Sequence, residues 1–399
     1  MKIVQINTFP HKATGAIMLN IHRLLQEMGY ESYVIWGRGR EANPPYEYSI
    51  NDNLGVKVHG LYTRLFDTTG FASWNATKKL ISILEEIKPD IVHLHNLHGY
   101  YLNIQMLFEY LKGNKIEIVW TLHDCWPLTG HCAYFTAIGC NKWKTGCFAC
   151  PQKKTYPASI FLDNSKKNWI EKKKLYSDLD MHIVTVSKWL QSIVEKSILN
   201  KYPCTTIYNG LDLEIFKPTQ GEYKKANGFN EKHIILGVAS EWTERKGLSD
   251  FIKLSNMLES DYIIVLVGLS KKQIELIKNT PIVGLSRTNS IDELVDLYSS
   301  ADVFLNLSVE ETMGMTTVEA MACGTPAIVY NCTALPEILC DLPDNIVEAH
   351  NYEAIKQAIY RVCSDKTDGL FYRELAYKYK ASDKNAEYID LYKSIFERE

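Results

Sequence analysis

Two glutamates in the last third of this 399-residue chain have the spacing and surroundings of a ligand site. Glu311 and Glu319 lie eight positions apart in the segment SVEETMGMTTVEAMACGTPAIVY. The apolar run DVFLNLS before them predicts a strand, and TTVEAMA predicts the start of a helix. Free N–H groups at a helix start attract anions, and carboxylates accept hydrogen bonds from hydroxyls. The combination indicates a ligand that is part phosphate and part sugar; two surface glutamates on an amphipathic helix are the simpler interpretation.

Histidines and an aspartate follow two other predicted strands. TLHDCWP places His123 and Asp124 at the carboxyl end of one strand. HLHNLHG offers His93, His95, Asn96 and His98 on and after another strand. Alternate residues of a strand share one face, so the first two histidines are expected to be packed or hydrogen-bonded, and the last two residues are candidates for ligand contact.

The order of the elements predicts the architecture that must position these residues. At 399 residues the chain has room for two domains of similar size. Short apolar strands alternate with helical patterns from KIVQINT to MHIVTVS, and the rhythm restarts at HIILGVAS after a polar linker over residues 205–232. This alternation predicts an α/β protein of two doubly wound, Rossmann-like domains, which bind ligands at the carboxyl ends of their strands. The expected domains are residues 1–212 and 213–380, followed by a C-terminal helix over 381–399 that packs back on the first domain.

Several segments in the same order resemble the family 4 retaining glycosyltransferases. The family's donor-site signature reads close to S-x-x-E-G-F-G-x-x-x-x-E-A-M-A-x-G-x-P, and IYNGLDLEIFKP and VTVSKWL match two further family segments. The chain departs from the signature at Thr312 and Met313, where the family commonly has Gly and Phe. The residues in register are Ser308, Glu311, Gly314, Glu319, Ala320, Met321, Ala322, Gly324 and Pro326.

The resemblance implies a fold of the GT-B type, in which the two domains face a cleft, and a role for each matched residue. The second domain would bind a nucleotide-diphosphate sugar without a metal, and the first would bind the acceptor. Glu319 would hold the ribose and Glu311 the transferred sugar. The backbone N–H groups of Met313, Gly314, Met315 and Thr316 would lie near its phosphates or sugar.

In LGVASEWTERKGLSDF, Lys246 matches the family's lysine that neutralises the departing diphosphate. The family's usual arginine is missing near Ala239 and Ser240, and Arg245 is the candidate to replace it. Gly15 matches a glycine that lets backbone approach the donor phosphates, a role that needs a missing Cβ. A solvated turn and a helix-start glycine are the simpler interpretations of these two positions.

In the first domain, the resemblance makes His123 the best catalytic candidate. Asn96, His98 and Asp124 are candidate acceptor contacts. Glu311, His123 and Lys246 would position groups and stabilise charge more than transfer protons. The expected activity is transfer of a sugar, with retention, to a glycan or lipid-linked glycan acceptor, as in bacterial polysaccharide biosynthesis.

Two other classes of function stay open. One is a GT-B-type nucleotide-sugar epimerase or hydrolase, and the other is a non-catalytic module that binds sugar nucleotides. A dehydrogenase is disfavoured because neither domain has G-x-G-x-x-G after its first strand.

A cysteine-rich insert over residues 125–152 is the one candidate metal site in the sequence. Cys132, Cys140, Cys147 and Cys150 end in C-x2-C, and four thiolates suit a closed structural zinc site. The spacing of the first two departs from a standard zinc ribbon, so a loop with free thiols is equally compatible. Catalysis is expected to need no cofactor.

A basic stretch over residues 153–174 carries three lysine clusters interrupted by Ile160, Phe161, Trp169 and Ile170. It predicts an exposed charged helix or a surface that rests on an anionic membrane. The net charge of −3 gives no pull toward nucleic acid, which is not an expected partner. The N-terminus lacks the features of a signal peptide and no run is long and apolar enough to span a bilayer, so we expect a cytoplasmic protein, with the inner face of the plasma membrane as its site of contact.

Overall fold

The fold consists of two α/β units, each built on one parallel sheet. The computed structural model describes residues 1–365 and 367–397, without the side chains of Lys12 and Ala13. The first unit contains residues 1–208 and the chain from Asn385 onward, and the second contains Asn209–Lys384. The sequence-based boundary after residue 212 lies four residues from this division.

The first unit has a seven-stranded sheet in the described residues, with strand order β3-β2-β1-β4-β5-β6-β7. All its neighbouring strands pair in parallel. The central strands are almost fully buried, because helices cover both faces of such a sheet. The strands are β1 (Lys2–Asn7), β2 (Glu31–Trp36), β3 (Glu47–Ser49), β4 (Ile91–Leu94), β5 (Glu117–Leu122), β6 (Met181–Thr185) and β7 (Cys204–Thr206).

Six helices of the first unit connect these strands within the described chain. Asp52 and Asn103 cap two of them by accepting hydrogen bonds from the N–H groups of Gly55 and Met106. The helices are α1 (Lys12–Glu27), α2 (Asn53–Phe66), α3 (Trp74–Ile87), α4 (Ile104–Gly113), α5 (Ser165–Leu175) and α6 (Lys188–Val194).

The second unit has a six-stranded parallel sheet in the described residues, with strand order β10-β9-β8-β11-β12-β13. Its strands alternate with helices along the chain, as the sequence predicts. The elements are α7 (Tyr223–Ala226), β8 (His233–Val238), α8 (Leu248–Ser255), β9 (Tyr262–Val267), α9 (Lys271–Ile277), β10 (Ile282–Leu285), α10 (Ile291–Ser300), β11 (Val303–Asn306), α11 (Met315–Ala322), β12 (Ala327–Tyr330), α12 (Leu335–Ile338), β13 (Ile346–Val347), α13 (Tyr352–Ser364) and α14 (Gly369–Ala376).

The last helix, α15 (Ala381–Phe396), completes the core of the first unit. Its buried residues Tyr388, Ile389, Tyr392 and Ile395 join one hydrophobic cluster with residues of β1, α1, β4, β5 and β6. The final residues of the chain therefore supply core to the unit that contains its first residues.

Two sequence-based expectations need correction. The predicted linker over 205–232 contains the end of β7 and the helix α7, whose backbone N–H at Glu222 donates to Asp296 at 2.9 Å. Elements of three or four residues are too short to show a hydrophobic period. The basic stretch is helical only over Ser165–Leu175, and Trp169 is buried rather than exposed.

Lys172 is also buried in this helix. Its Nζ donates to the carbonyl oxygens of Trp126 at 2.7 Å and Thr129 at 3.0 Å and lies 3.4 Å from the centre of the Trp126 ring. Burial lowers the pKa of Lys172 to about 7. In the described part of the chain, no helix is long and apolar enough to cross a membrane.

Candidate active site

The loop after β11 holds Glu311 against two basic residues. The ammonium of Lys246 donates to Glu311 Oε1, and Arg245 Nη1 lies 4.0 Å from Oε2. Burial alone would raise the pKa of the Glu311 carboxyl, but the charges of Lys246 and Arg245 and the hydrogen bonds it accepts outweigh it, so this pKa is lowered. Glu311 is thus held as a carboxylate in a largely buried site.

The two segments that carry this ion pair are joined through their backbones. Lys246 ends a 3₁₀ turn over Glu244–Lys246, and Val309 N donates to Arg245 O at 2.9 Å. Arg245 Nη1 donates to Glu310 O at 2.7 Å. Gly247, with φ of +79°, lets the two segments approach, because a Cβ there would lie 2.4 Å from Leu307 O. The backbone contacts between the two segments therefore hold Lys246 and Glu311 close together.

Helix α11 begins directly after this loop. Gly314, with φ of +91°, is its N-cap, and Met315 and Thr316 are its first residues, whose N–H groups have no partner within the helix. Asn306, the last residue of β11, donates from Nδ2 to Thr317 Oγ1 at 3.1 Å. The helix start is thereby fixed to the end of the strand and presents N–H donors there.

The Met313 side chain is packed inside the second unit. Its side chain is 3% exposed, and Asn209 N lies 3.1 Å from its Sδ. The side chain is part of the packing beneath the loop, so only its backbone is available to a ligand. The sequence could not show this, because Asn209 is far away along the chain.

Glu319 lies one turn further into α11, in a different environment from Glu311. Tyr298 OH donates to Glu319 Oε2 at 2.8 Å. Burial raises the pKa of the Glu319 carboxyl, and the Tyr298 hydrogen bond offsets only part of this effect. The two glutamates thus have opposite pKa shifts, which the E-x7-E spacing does not reveal.

In the first unit, His98 and Asp124 meet after β4 and β5. His98 Nε2 lies 2.6 Å from Asp124 Oδ2, and His98 Nδ1 lies 2.9 Å from Tyr156 OH. Asp124 Oδ1 also accepts from Trp126 N at 2.8 Å. Burial raises the pKa of Asp124, but His98 and the hydrogen bonds reverse the shift, so the pKa is lowered.

His123 lies at the end of β5, and its Nε2 is 3.2 Å from His95 Nδ1. His93 on β4 and His95 directly after it are buried, with ring centres 4.1 Å apart, as expected for packed side chains. The backbone oxygen of Asn96 accepts from Thr8 Oγ1 at 3.0 Å and Tyr101 OH at 2.8 Å. The carbonyl oxygen of Asn96 is therefore occupied by hydrogen bonds within the first unit.

Gly15 lies in the first turn of α1, as its position after β1 predicts. A Cβ at this residue would lie 2.5 Å from Phe9 O and 2.6 Å from the carbonyl carbon of Pro10. The space that a side chain at position 15 would need is already occupied by the backbone of Phe9 and Pro10. This packing is a sufficient reason for glycine at position 15.

The four cysteines of the predicted zinc site line one small cavity together with His131 and Trp143. The Cys132 and Cys150 thiols interact, and this contact lowers the pKa of Cys150 to about 7. As the side chains stand, however, no three His, Cys, Asp or Glu residues between 1 and 365 or 367 and 397 form a group that could hold a metal ion.

Sequence reasoning missed three residues that form hydrogen bonds with residues it had singled out. Thr333 Oγ1 accepts from Glu311 N at 2.9 Å, Tyr298 supports Glu319, and Gln5 Oε1 lies 3.3 Å from His95 Nε2. Each acts across elements, so no local pattern marks it.

Solved structures of other proteins share this architecture over almost the whole chain. Sucrose-phosphate synthase from Thermosynechococcus elongatus superimposes with a TM-score of 0.74 at 16% identity and covers 100% of both chains. HepE from Anabaena, solved with UDP and glucose, has a TM-score of 0.68 at 13% identity and covers 99% of this chain and 100% of HepE. The fold is therefore that of the GT-B glycosyltransferases.

Family models assign the two units separately. The model described as Glycosyltransferase Family 4 matches residues 15–215, and the one described as Glycosyl transferases group 1 matches residues 219–382. This chain belongs to the family 4 glycosyltransferases.

Curated relatives differ in what they act on. The putative colanic acid biosynthesis glycosyl transferase WcaC of Escherichia coli K12 is 27% identical over 53% of this chain, a match that spans about half (55%) of WcaC. N-acetyl-alpha-D-glucosaminyl L-malate synthase of Bacillus anthracis is 25% identical over 82% of this chain and 77% of its own length. Alpha-monoglucosyldiacylglycerol synthase of Acholeplasma laidlawii is 22% identical over 86% and 83%, respectively.

Proposed function

We propose that this protein transfers a sugar from a nucleotide-diphosphate sugar to a hydroxyl group of a glycan or lipid-linked glycan, with retention at the anomeric carbon. The observation that carries the proposal is the contact of Lys246 with Glu311 beside the start of α11. It combines a cation for a diphosphate, an anion for sugar hydroxyls and free N–H donors in one loop.

Donor binding would exchange the partners of this ion pair. In the free protein, Lys246 neutralises Glu311. A bound diphosphate would draw the ammonium toward its oxygens, and the sugar hydroxyls would then donate to the Glu311 carboxylate. Because Glu311 has a lowered pKa, it is ready to accept these hydrogen bonds at neutral pH. Glu319, whose pKa is raised by burial, would accept from the ribose hydroxyls through its carboxyl oxygens while Tyr298 OH holds Oε2.

The transfer step needs no protein nucleophile. The bond between the anomeric carbon and the diphosphate oxygen breaks, and the acceptor oxygen forms a new bond to that carbon from the same face. The acceptor's proton passes to the departing phosphate oxygen. Lys246 and the α11 N–H groups would stabilise the negative charge that develops on the diphosphate. Catalysis by this route requires no metal ion.

The rate of nucleotide release, measured with and without an acceptor, distinguishes this function from its alternatives. With a matched glycan acceptor, we expect release of the nucleotide diphosphate and a glycosylated product of retained configuration. Release at the same rate without acceptor would establish a hydrolase or epimerase instead. Tight donor binding without turnover would establish a binding module. A thermal-shift panel of UDP-, GDP- and ADP-sugars identifies the donor to use.

We also propose that the first unit contacts an anionic membrane, as a lipid-linked acceptor requires. An exposed apolar surface, here called the apolar patch, follows one face of α2 and the adjacent loop. Tyr62 contacts both Phe66 and Trp74, and Ile160 N donates to Arg64 O at 2.7 Å, which seats the loop against α2. The apolar patch comprises Leu54, Val58, Leu61, Tyr62, Phe66, Trp74, Ile160, Phe161 and Leu162.

Lysines border the apolar patch. Residues 153–174 contain seven lysines and two acidic residues, although the whole chain has a net charge of −3, and all of these lysines except the buried Lys172 are at least partly exposed. Asn164, at the start of α5, donates to Phe66 O at 2.6 Å, so the basic helix adjoins the patch. Exposed apolar side chains beside lysines fit the interface of an anionic bilayer, with the inner face of the plasma membrane as the proposed location.

Vesicle sedimentation tests the membrane contact. We expect binding to vesicles that contain an anionic phospholipid, weakened by salt and lowered roughly tenfold by Ile160→Ser with Phe161→Ser. Leu276→Ser removes an equally exposed apolar side chain in the second unit and serves as control. Equal loss in both variants, or no binding at low salt, would exclude this surface.

The structural zinc remains a prediction, which metal analysis of protein purified under reducing conditions tests directly. We expect one zinc per chain, lost together with thermal stability in Cys147→Ser. Cys204→Ser, outside the insert, is the matched control. Metal-free protein with reactive thiols at Cys132, Cys140, Cys147 and Cys150 would establish a loop with free cysteines.

A further inference from the structure

A buried chain of polar side chains supports His123 from within the first unit. His123 Nε2 lies 3.2 Å from His95 Nδ1, and His95 Nε2 lies 3.3 Å from Gln5 Oε1. The rings of His95 and His123 are nearly parallel, with an interplanar angle of 15° and centres 5.5 Å apart, which suits a hydrogen bond between their ring nitrogens. Gln5 and His95 are at most 1% exposed, and none of the chemistry described above uses either of them.

The orientation of the Gln5 amide determines which atom donates in each hydrogen bond of this series of side chains. Gln5 Nε2 donates to Met18 O at 3.2 Å, and a carbonyl oxygen can only accept. The amide nitrogen is therefore on the Met18 side, and the amide oxygen faces His95. Rotating the amide by half a turn would place two acceptors together at Met18, which is unfavourable in a buried site.

The protons on both histidines follow from this orientation. Because Gln5 Oε1 can only accept, His95 Nε2 must carry a hydrogen. Burial lowers the pKa of His95 well below its usual value and that of His123 to about 4, so both rings are neutral at pH 7. A neutral ring carries one hydrogen, which leaves His95 Nδ1 as an acceptor and makes His123 Nε2 the donor to it.

We propose that Gln5 and His95 are positioning residues that fix His123 as the neutral tautomer with its hydrogen on Nε2 and its lone pair on Nδ1. In this tautomer Nδ1 can accept a hydrogen bond from a hydroxyl but cannot donate one to a phosphate. The assignment of the tautomer rests on the first unit alone, whereas the contact with a substrate hydroxyl rests on the proposed function.

Long-range ¹H–¹⁵N correlation spectra of protein with ¹⁵N-labelled histidine test the tautomer without any substrate. At pH 7 we expect the His123 signals of a protonated Nε2 and an unprotonated Nδ1, assigned through His123→Gln. Gln5→Met removes the acceptor while retaining side-chain volume, so His123 should become a mixture of tautomers. Gln5→Glu, buried and protonated on the oxygen that faces Met18 O, keeps an acceptor oxygen toward His95 and should restore the single tautomer. A hydrogen on Nδ1 of His123 in the unmodified protein would overturn the proposal.

Tyr392→Phe is the matched control. Tyr392 OH lies 2.6 Å from His93 Nδ1, so the variant removes a buried hydrogen bond from the neighbouring histidine but leaves the Gln5 chain intact. It should lower stability without changing the His123 tautomer. A change of tautomer in Tyr392→Phe would show that general loosening of the core, rather than Gln5, governs His123.

The kinetic measurement separates failure of this proposal from failure of the proposed function. In a chain that transfers sugar, Gln5→Met should lower kcat roughly tenfold with the donor KM unchanged. An unchanged kcat despite a mixed tautomer would refute the role at the substrate. If the unmodified protein transfers no sugar, the proposed function fails, while the spectra still decide the tautomer.

Discussion

At the scale of single residues, Glu311 and Glu319 show how two similar side chains are given different properties. Glu311 is kept ionised by Lys246 and Arg245, whereas the half-buried Glu319 accepts a hydrogen bond from one tyrosine hydroxyl. Under the proposed function, these two environments would suit different parts of one donor molecule.

Removing either member of the Lys246 and Glu311 pair should abolish most transfer. We expect Lys246→Met and Glu311→Gln each to lower kcat/KM by about 10²- to 10³-fold, the range seen when one charge-stabilising group is removed. Progress curves with a matched donor and acceptor measure this. Glu244→Gln changes the same charge on the exposed side of the same turn and should retain activity; a similar loss there would attribute the effect to net charge.

The Tyr298 hydroxyl is expected to matter through Glu319. Tyr298→Phe leaves the buried carboxyl without its donor, which should cost about 1–3 kcal/mol in unfolding free energy and weaken donor binding. Denaturant titration and isothermal titration calorimetry measure the two effects. In the Glu319→Met background the substitution should cost less, because methionine has no oxygen to accept the Tyr298 hydrogen bond and the pair is already broken. Additive effects would contradict a direct coupling between Tyr298 and Glu319.

At the scale of elements, the strand-end loops decide what the site can do. The loop after β11 and the turn before α8 are joined by backbone hydrogen bonds and by a close approach at Gly247. Their relative position is therefore set by the fold itself and does not depend on a bound ligand.

Gly247→Ala should separate these two segments. Its Cβ would meet Leu307 O at 2.4 Å in addition to the strain of a positive φ. Gly228 also has a positive φ, of +71°, but a Cβ added there would meet no neighbouring heavy atom within 4 Å. Gly228→Ala should thus cost about 1–2 kcal/mol in stability and spare activity, while Gly247→Ala loses both. Thermal denaturation and transfer rates test this, and equal behaviour of the two variants would refute the close-approach argument.

The main elements could be predicted from the sequence because their hydrophobic patterns are long. The strand–helix pairs from β1 and α1 to β11 and α11 lie where the pattern predicts them. The edge strands β3, β7 and β13 have only two or three residues, so they carry no readable pattern. Lysine was expected at the surface of α5, yet Lys172 is buried by carbonyl oxygens and a ring that only the folded chain brings together.

The candidate site was predictable where one segment carries it and unpredictable where several segments meet. Glu311, Glu319 and Lys246 stand in local motifs, so their positions at strand ends followed from the sequence. Tyr298 and Gln5 act on residues 21 and 90 positions away, and nothing in their own surroundings marks them.

At the scale of the whole molecule, buried neutral histidines link stability to pH. Burial lowers the pKa of His22 and His59 to about 4 each. In the unfolded chain a histidine binds its proton near its ordinary pKa of about 6.5, so between these values the unfolded state binds more protons. The stability from these histidines is fully present above about pH 6.5 and is lost as the pH falls toward 4.

Thermal denaturation should therefore occur at lower temperature at pH 5 than at pH 7. His22→Gln should reduce the slope of unfolding free energy against pH by up to about 1.4 kcal/mol per pH unit, since one proton fewer is taken up on unfolding. Gln26→Ala removes an uncharged side chain from the same helix and should leave the slope unchanged. An unaltered slope in His22→Gln would contradict the buried neutral state.

The placement of α15 has a consequence for the order in which the chain folds during synthesis. Ile3, Ile91, Val119 and Val184 of the first unit share their core with Tyr388, Ile389, Tyr392 and Ile395. These α15 residues are synthesised only after the whole second unit has been made. The apolar face that they cover in the first unit stays open until then, so the core of the first unit is completed after the second unit has been synthesised.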